Sequence, residues 1–526
     1  MQKSPWAKAV AGSPDAADFA AACSHARQVA VLGTVESLLH WDEQTMLPPQ
    51  GGGFRADQVA AMAAVVHARK IDPAQGERLG RLAESDLASA GPPPVQATIR
   101  LLHEEFAKQA RLPGRLVEAL ARTSIEAQQA WTQAVAAADW KLLAPHLEQM
   151  FSLKREQAAC QRPDLDPYDA LLDDYEPGGR SPQIQHQFAR LRAAIVPLVQ
   201  GCVDSATRPQ DAVLHGDFPL AAQEQFVREV AARIGFDFQR GRLDTTLHPF
   251  CSTLGPHDCR LTSRWDARFL PTAFYSVLHE AGHGLYEQGL PPEWFGLPPG
   301  EAASLGMHES QSRLWENLIG RSPAFWEWCF PLARRAFPDA LAGSSPAAIA
   351  AAVRTVQPSF IRVEADEVTY NLHIMLRFDL ERAVVTGELP VSDLPAAWDD
   401  RFEADFGTRP RSAAEGVLQD IHWPAGLIGY FPTYAVGNMF SAQLFAAAER
   451  ELGDLGARTV NGDFRPLLDW LRRRVHSHGR TLTADQLVAQ ISGEPVSERF
   501  LIASLAERYG PIHGLPAVPP PGTTGE

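Results

Sequence analysis

The stretch FYSVLHEAGHGLYEQGL, residues 274 to 290, sets two histidines four residues apart, with a glutamate beside the first, in an otherwise apolar run. On a helix that turns about 100° per residue, His279 and His283 stand about 40° apart and one turn apart, so both imidazoles can reach a single ion. Glu280 lies about 60° from His283, near enough to lean over such an ion without ligating it. Two neutral nitrogen ligands, an open coordination position and a carboxylate that can take a proton from water are what metal-assisted hydrolysis requires. The alternative is a buried helix turn that happens to contain these letters, expected by chance in such a chain at roughly a few per cent. Gly282 costs a helix about 1 kcal/mol relative to Ala, so it predicts the close approach of another backbone.

A third ligand is sought downstream. After Gly289 comes the Pro and Gly-rich turn PPEWFGLPPGEAAS, then LGMHESQSRLWENLIG, a second helical stretch that carries Glu309. A helical hairpin could bring Glu309 back over the two histidines. His308 competes, but as the adjacent residue it points about 100° away and reads as an outer contact or as core. Ser312, Arg313 and Glu316 follow Glu309 by three, four and seven residues. That spacing suits hydrogen bonds to the ligands and equally suits a solvated face.

The elements that must position these groups read as mostly helical. Residues 16–39, 54–88, 93–110, 113–138 and 140–161 carry apolar residues at spacings of three and four, and Pro and Gly cluster at 48–53, 91–94 and 176–179. Strand character is confined to GRLDTTLHPF (241–250) and HDCRLTSRW (257–265). SFIRVEADEVTYNLHIMLRFDLER (359–382) is apolar on every face and predicts a helix buried all round. Its polar residues Arg362, Asp366, Tyr370, His373 and Arg377 then form one stripe, which either lines a cleft or satisfies itself as an ionic ladder. GVLQDIHWPAGLIGYFPTYAVGN (416–438) is too rich in Gly, Pro and aromatics for one straight helix. Its His422, Tyr430 and Tyr434 are candidate donors to the oxyanion that forms when water attacks a peptide carbonyl, against the plainer reading of aromatic packing around a kink.

Composition excludes several functions. A chain of 526 residues with 45% hydrophobic content can bury a large core, and a formal charge of −15 with scattered Lys and Arg argues against nucleic acid as a partner. Six cysteines without CxxC or regular spacing read as reduced thiols. The N-terminus has no continuous apolar signal region and no run approaches the ~18 apolar residues of a membrane span, so a soluble cytoplasmic protein is expected. The final LPAVPPPGTTGE, 516–526 above all, reads as a disordered tail.

Six blocks in order carry a family resemblance: HPF (248–250), DCRLT (258–262), HEAGH (279–283), HESQ (308–311), IRVEAD (361–366) and GVLQDIHW (416–423), together with an N-terminal LLHWDEQTMLPPQGGGFRADQ. The chain resembles the carboxypeptidase Taq family of thermostable metallocarboxypeptidases over almost its whole length. The resemblance implies an all-α, mainly helical fold with a long groove, akin to neurolysin and angiotensin-converting enzyme, and a small antiparallel sheet near the active site. It implies a single domain over 1–515, with 16–110 covering the groove and 240–440 as catalytic core, and a homodimer. Carried over residue by residue, the metal ligands fall on His279, His283 and Glu309, and the general base on Glu280. Recognition falls on His248, Arg260, Arg362 and His422, with either arginine suited to grip a terminal carboxylate through two parallel hydrogen bonds. One Zn2+ per chain, or Co2+ in its place, and peptides with a free C-terminus are the implied cofactor and substrates. Cleavage of internal bonds of short peptides, or a zinc-binding scaffold without turnover, are the competing readings.

Overall fold

Each Pro and Gly cluster falls at a helix boundary, as expected from residues that cannot continue a helix or that favour its ends. The computed structural model describes residues 6–8 and 10–516, so all but the first residue of the expected tail lies outside the described residues. Helices α1 (Ala16–Thr45), α2 (Gly52–Lys70), α3 (Pro73–Ala83), α4 (Asp86–Ala90), α5 (Pro93–Ala110), α6 (Gly114–Ala137), α7 (Ala144–Gln161), α8 (Pro167–Leu172), α9 (Ser181–Asp204) and α10 (Leu220–Ile234) come first. Strands β1 (Gly241–Thr245), β2 (Cys251–Thr253) and β3 (Cys259–Ser263) follow. Helices α11 (Leu270–Glu287), α12 (Leu305–Arg313), α13 (Pro323–Ala336), α14 (Pro346–Ala352), α15 (Glu367–Thr386) and α16 (Leu394–Phe406) continue the chain. It closes with α17 (Pro432–Leu452), α18 (Leu455–Val460), α19 (Arg465–Arg474), α20 (Ala484–Ser492) and α21 (Arg499–Tyr509).

Three local expectations change. The single helix read over 54–88 is three, because Asp72 accepts a hydrogen bond from the Ala74 N–H at 2.9 Å and Pro73 opens α3. The small sheet is mixed, in the order β1-β3-β2, and not antiparallel as expected: the two expected strand regions pair parallel, β1 with β3, from Gly241 opposite Cys259 to Thr245 opposite Ser263, while the antiparallel partner of β3 is β2, in the stretch between them. The helix read from 359 begins only at Glu367, because Asp366 turns its carboxylate onto the N–H groups of Val368 and Thr369 as an N-cap. Arg362 therefore sits on a 3₁₀ turn before the helix and not on its stripe.

The described residues form two compact units. The first takes residues up to 110, then 211–353 and 444–494. In it α11 packs on α10, α12, β2 and β3, and the ring of Phe274 stacks on Phe226 at 5.4 Å. The second takes 111–210, 354–443 and the residues from 495 on. Helix α15 runs through it, buried on almost every face, among α7, α8, α9 and α16. All six cysteines are free. Among the described residues no helix is long and apolar enough to cross a membrane.

Candidate metal centre

The two histidines of α11 converge. His279 Nε2 and His283 Nε2 each lie 3.5 Å from one oxygen, Oε2 of Glu309 on α12. That approach depends on Gly282. A Cβ there would stand 2.5 Å from the Ser312 Cα and 2.6 Å from the Gln311 carbonyl oxygen, so the backbones of α11 and α12 touch where any side chain would part them.

Past Arg313 the helix widens. Residues Leu314–Ile319 form a π-helical turn, closed by the Gly320 N–H donating to the Trp315 carbonyl at 2.9 Å. The wider turn is a common device at functional sites, and here it lies beside the Glu316 carboxylate, whose Oε2 accepts from His279 Nδ1 at 2.8 Å. Arg313 donates through Nε to Glu309 Oε1 at 2.6 Å and through Nη1 to Glu316 Oε2 at 3.4 Å. Arg321 donates to Glu316 Oε1 at 3.2 Å, and the Ser312 hydroxyl reaches Glu309 Oε2 at 3.1 Å. The residues three, four and seven beyond Glu309 thus face the ligands, not solvent.

These partners fix the tautomers. With Nδ1–H of His279 given to Glu316, Nε2 is the nitrogen that an ion would take in place of a proton. His283 Nδ1 faces the His308 carbonyl oxygen at 3.1 Å and the His308 Nδ1 at 2.6 Å, while His308 Nε2 donates to Glu287 Oε1 at 2.9 Å. His283 therefore carries its hydrogen on Nδ1 as well, and His308 stands behind the ligands instead of among them.

Charge completes the picture. Burial disfavours the imidazolium of His279, but the carboxylates of Glu309 and Glu316 outweigh it and lift its pKa to about 9. Burial, with His308 and His279 beside it, holds His283 neutral, well below the usual histidine range. Burial disfavours the charge on Glu316 too, yet Arg313, His279 and Arg321 hold it ionised far below the carboxylate range. Glu280 is buried, and burial raises its carboxyl to about 7, against the opposing pull of His279.

One nitrogen from each of two imidazoles and one carboxylate oxygen all lie within 4.8 Å of one another. Donors bonded at about 2.1 Å around a tetrahedral ion stand roughly 3.4 Å apart, so the residues present fit a divalent metal.

Comparison with known proteins agrees. The carboxypeptidase Taq (M32) metallopeptidase profile matches residues 21–509. The chain belongs to this family. It is 42% identical over 497 residues to thermostable carboxypeptidase 1 of Thermus thermophilus, covering 93% of this chain and 97% of that one. Against carboxypeptidase 1 of Bacillus subtilis the identity is 34%, over 91% and 95% of the two chains. The solved M32 carboxypeptidase of Deinococcus radiodurans R1 superposes with a TM-score of 0.92 at 38% identity, covering 95% of this chain and all of that one. This M32 chain is thus a metallopeptidase with a metal cofactor and peptide substrates.

The residues expected to recognise substrate divide between the units. In the first, Arg260 on β3 makes two 2.9 Å hydrogen bonds to Asp258 and lies 4.3 Å over the ring of Trp41, the tryptophan of the N-terminal block. His248 sits exposed on the connection from β1 to β2. In the second unit, Arg362 donates through Nε and Nη2 to Asp420 Oδ1 at 3.0 and 2.7 Å, and through Nη1 to the Tyr370 hydroxyl at 3.1 Å. Arg377 takes the other oxygen, Oδ2, at 2.6 Å. The polar stripe is therefore no self-satisfied ladder: its counter-charge comes from the 416–438 segment. Burial disfavours ionisation of Asp420, but the two arginines hold it far below the carboxylate range, and burial draws Arg377 down to about 10. His422 and Tyr434 approach to 3.4 Å, with the Tyr430 and Tyr434 rings 5.4 Å apart. Burial lowers His422 to about 4, so its ring is neutral at neutral pH.

Sequence reasoning passed over Asp420, Arg321 and Glu287. Asp420 had a usable signal, since a lone carboxylate within an aromatic, Gly-rich segment must find a buried partner. Arg321 and Glu287 carry no comparable mark.

Proposed function

We propose that the chain is a zinc carboxypeptidase with the ion held by His279, His283 and Glu309 and with Glu280 as general base. The observation that carries this reading is the convergence of both Nε2 atoms on Glu309 Oε2, beside a buried carboxyl whose pKa is about 7. When bound, the ion supplies Lewis acidity to the scissile carbonyl and to water. Glu280 takes the proton of the attacking water and returns it to the leaving amine, a task suited to a group poised near neutrality. Glu316 and the His308 carbonyl orient the imidazoles, and the Arg313 hydrogen bond holds Glu309 in place. A hydrogen bond from His422, Tyr430 or Tyr434 steadies the oxyanion.

Arg362 or Arg260, with His248 nearby in the motif set, reads the free C-terminus, which makes the enzyme an exopeptidase. The charge balance favours Arg362, because Asp258 neutralises Arg260 one to one while Asp420 is shared by two guanidiniums. Helices from 16 to 110 restrict access to flexible chain ends, and the enzyme works as a cytoplasmic homodimer. The deciding experiment compares a benzyloxycarbonyl-blocked dipeptide with its C-terminal amide on metal-quantified protein. Cleavage of the free acid alone supports the carboxypeptidase. Equal cleavage of both would mean an oligopeptidase, and bound metal with no cleavage a binding protein.

A further inference from the structure

The irregular segment that carries His422 and Tyr430 is gripped by a residue no motif contains. Glu381, fully buried on α15, accepts three hydrogen bonds on its two oxygens. The Gly429 N–H and the Tyr168 hydroxyl both donate to Oε1 at 2.8 Å, and the Trp423 indole N–H donates to Oε2 at 2.7 Å. One turn earlier on the same helix, Arg377 holds Asp420. Helix α15 thus pins residues 420, 423 and 429 from within. His422 lies between the first two pins, and Tyr430 follows the third. Gly429 adopts φ +89° and packs so closely on α8 that a Cβ would stand 2.8 Å from the Leu172 nitrogen, so the third pin has little freedom to shift.

A buried carboxylate that accepts three donors is an expensive way to fill a core, since an apolar side chain would avoid the desolvation. What it adds is direction, because each donor can satisfy itself in only one place. We propose that Glu381 is a positioning residue for hydrolysis, setting the backbone from 420 to 430 and with it the direction in which His422 and Tyr430 present their donors. This rests on the reading that those donors steady the oxyanion.

The test is a double-mutant cycle on a blocked dipeptide, with metal content and melting temperature recorded for every variant. Glu381→Gln turns one acceptor into a donor facing an N–H. Trp423→Phe removes a single N–H from the segment and serves if Glu381→Gln does not fold. Each is expected to lower kcat roughly 10- to 100-fold with KM and bound metal unchanged, the scale of a small misplacement of a reacting group. Combined with His422→Gln and Tyr430→Phe, each should lose most of its effect. Unchanged kcat in folded, metal-loaded Glu381→Gln or Trp423→Phe overturns the proposal, as does an effect that multiplies in full with the donor variants. If His422→Gln and Tyr430→Phe themselves leave kcat intact, the oxyanion reading falls first and takes this one with it, and the single variants show which has failed.

Discussion

The metal centre of the first unit and the arginine cluster of the second are built with opposite deficits of charge. Around His279 and His283, the guanidiniums of Arg313 and Arg321 pair with the carboxylates of Glu309 and Glu316, while the carboxyls of Glu280 and Glu287 lie beside His279 and His308. Around Asp420, a single carboxylate faces Arg362 and Arg377, with His422 held neutral. The first fits a cation, and the second is proposed to take an anion. A buried charge without a partner is costly, so each surplus states what the site is waiting for. The ion answers the first, and the substrate carboxylate is the proposed answer to the second.

The largest way to break the contrast is to remove the base while leaving the ion's ligands alone. Glu280→Gln should lower kcat roughly 10²- to 10⁴-fold with metal content unchanged, read by steady-state kinetics beside elemental analysis. Loss of the ion in that variant would make Glu280 a ligand and not a base. On the other side, Arg362→Met leaves Asp420 paired one to one with Arg377 and abolishes the surplus. KM for a free-acid substrate should rise roughly 10- to 100-fold, the loss expected for hydrogen bonds to a charged group, with melting temperature little changed. An unchanged KM would pass the carboxylate to Arg260.

Smaller changes sharpen the metal side. Glu316→Gln keeps a hydrogen-bond acceptor for His279 Nδ1 but removes its charge, and metal affinity should fall roughly tenfold in chelator competition. Acid should act in the same direction. Without metal, the His279 pKa of about 9 exceeds its unfolded value of about 6.5. Its contribution to apo-protein stability is therefore fully present below about pH 6.5 and lost as pH rises through about 9. Loading the ion must displace that proton, so affinity should weaken about tenfold per pH unit as pH falls below about 9. A flat affinity from pH 9 to pH 7 would contradict the arrangement of Glu309 and Glu316 around His279.

How much of each site was legible follows from the range of the contacts that make it. His279, Glu280 and His283 are within five residues on one helix, and helical geometry alone puts them together. Gly282 announced a backbone contact because no local role explained it, and the contact with Ser312 and Gln311 is there. The arginine cluster was half legible: its members were marked as polar groups in a buried context, but Arg362 was placed on a helix that Asp366 in fact caps before it begins. The parallel pairing of β1 with β3 joins residues eighteen apart across the β2 excursion, a register that alternation of residue types does not encode.

The sequence by itself determined the mostly helical architecture, the shared face of the two histidines, and the need for partners at buried polar positions, because these depend on bond geometry and on the cost of desolvation. Tertiary structure decided that Glu309 comes within 3.5 Å of both imidazoles, that a π turn lies beside Glu316 at His279, that Asp420 is shared by two arginines, and that Glu381 gathers three donors. Each of these joins residues that are distant in the chain or depends on a local change of helical pitch, so its energy exists only once the surrounding core has packed.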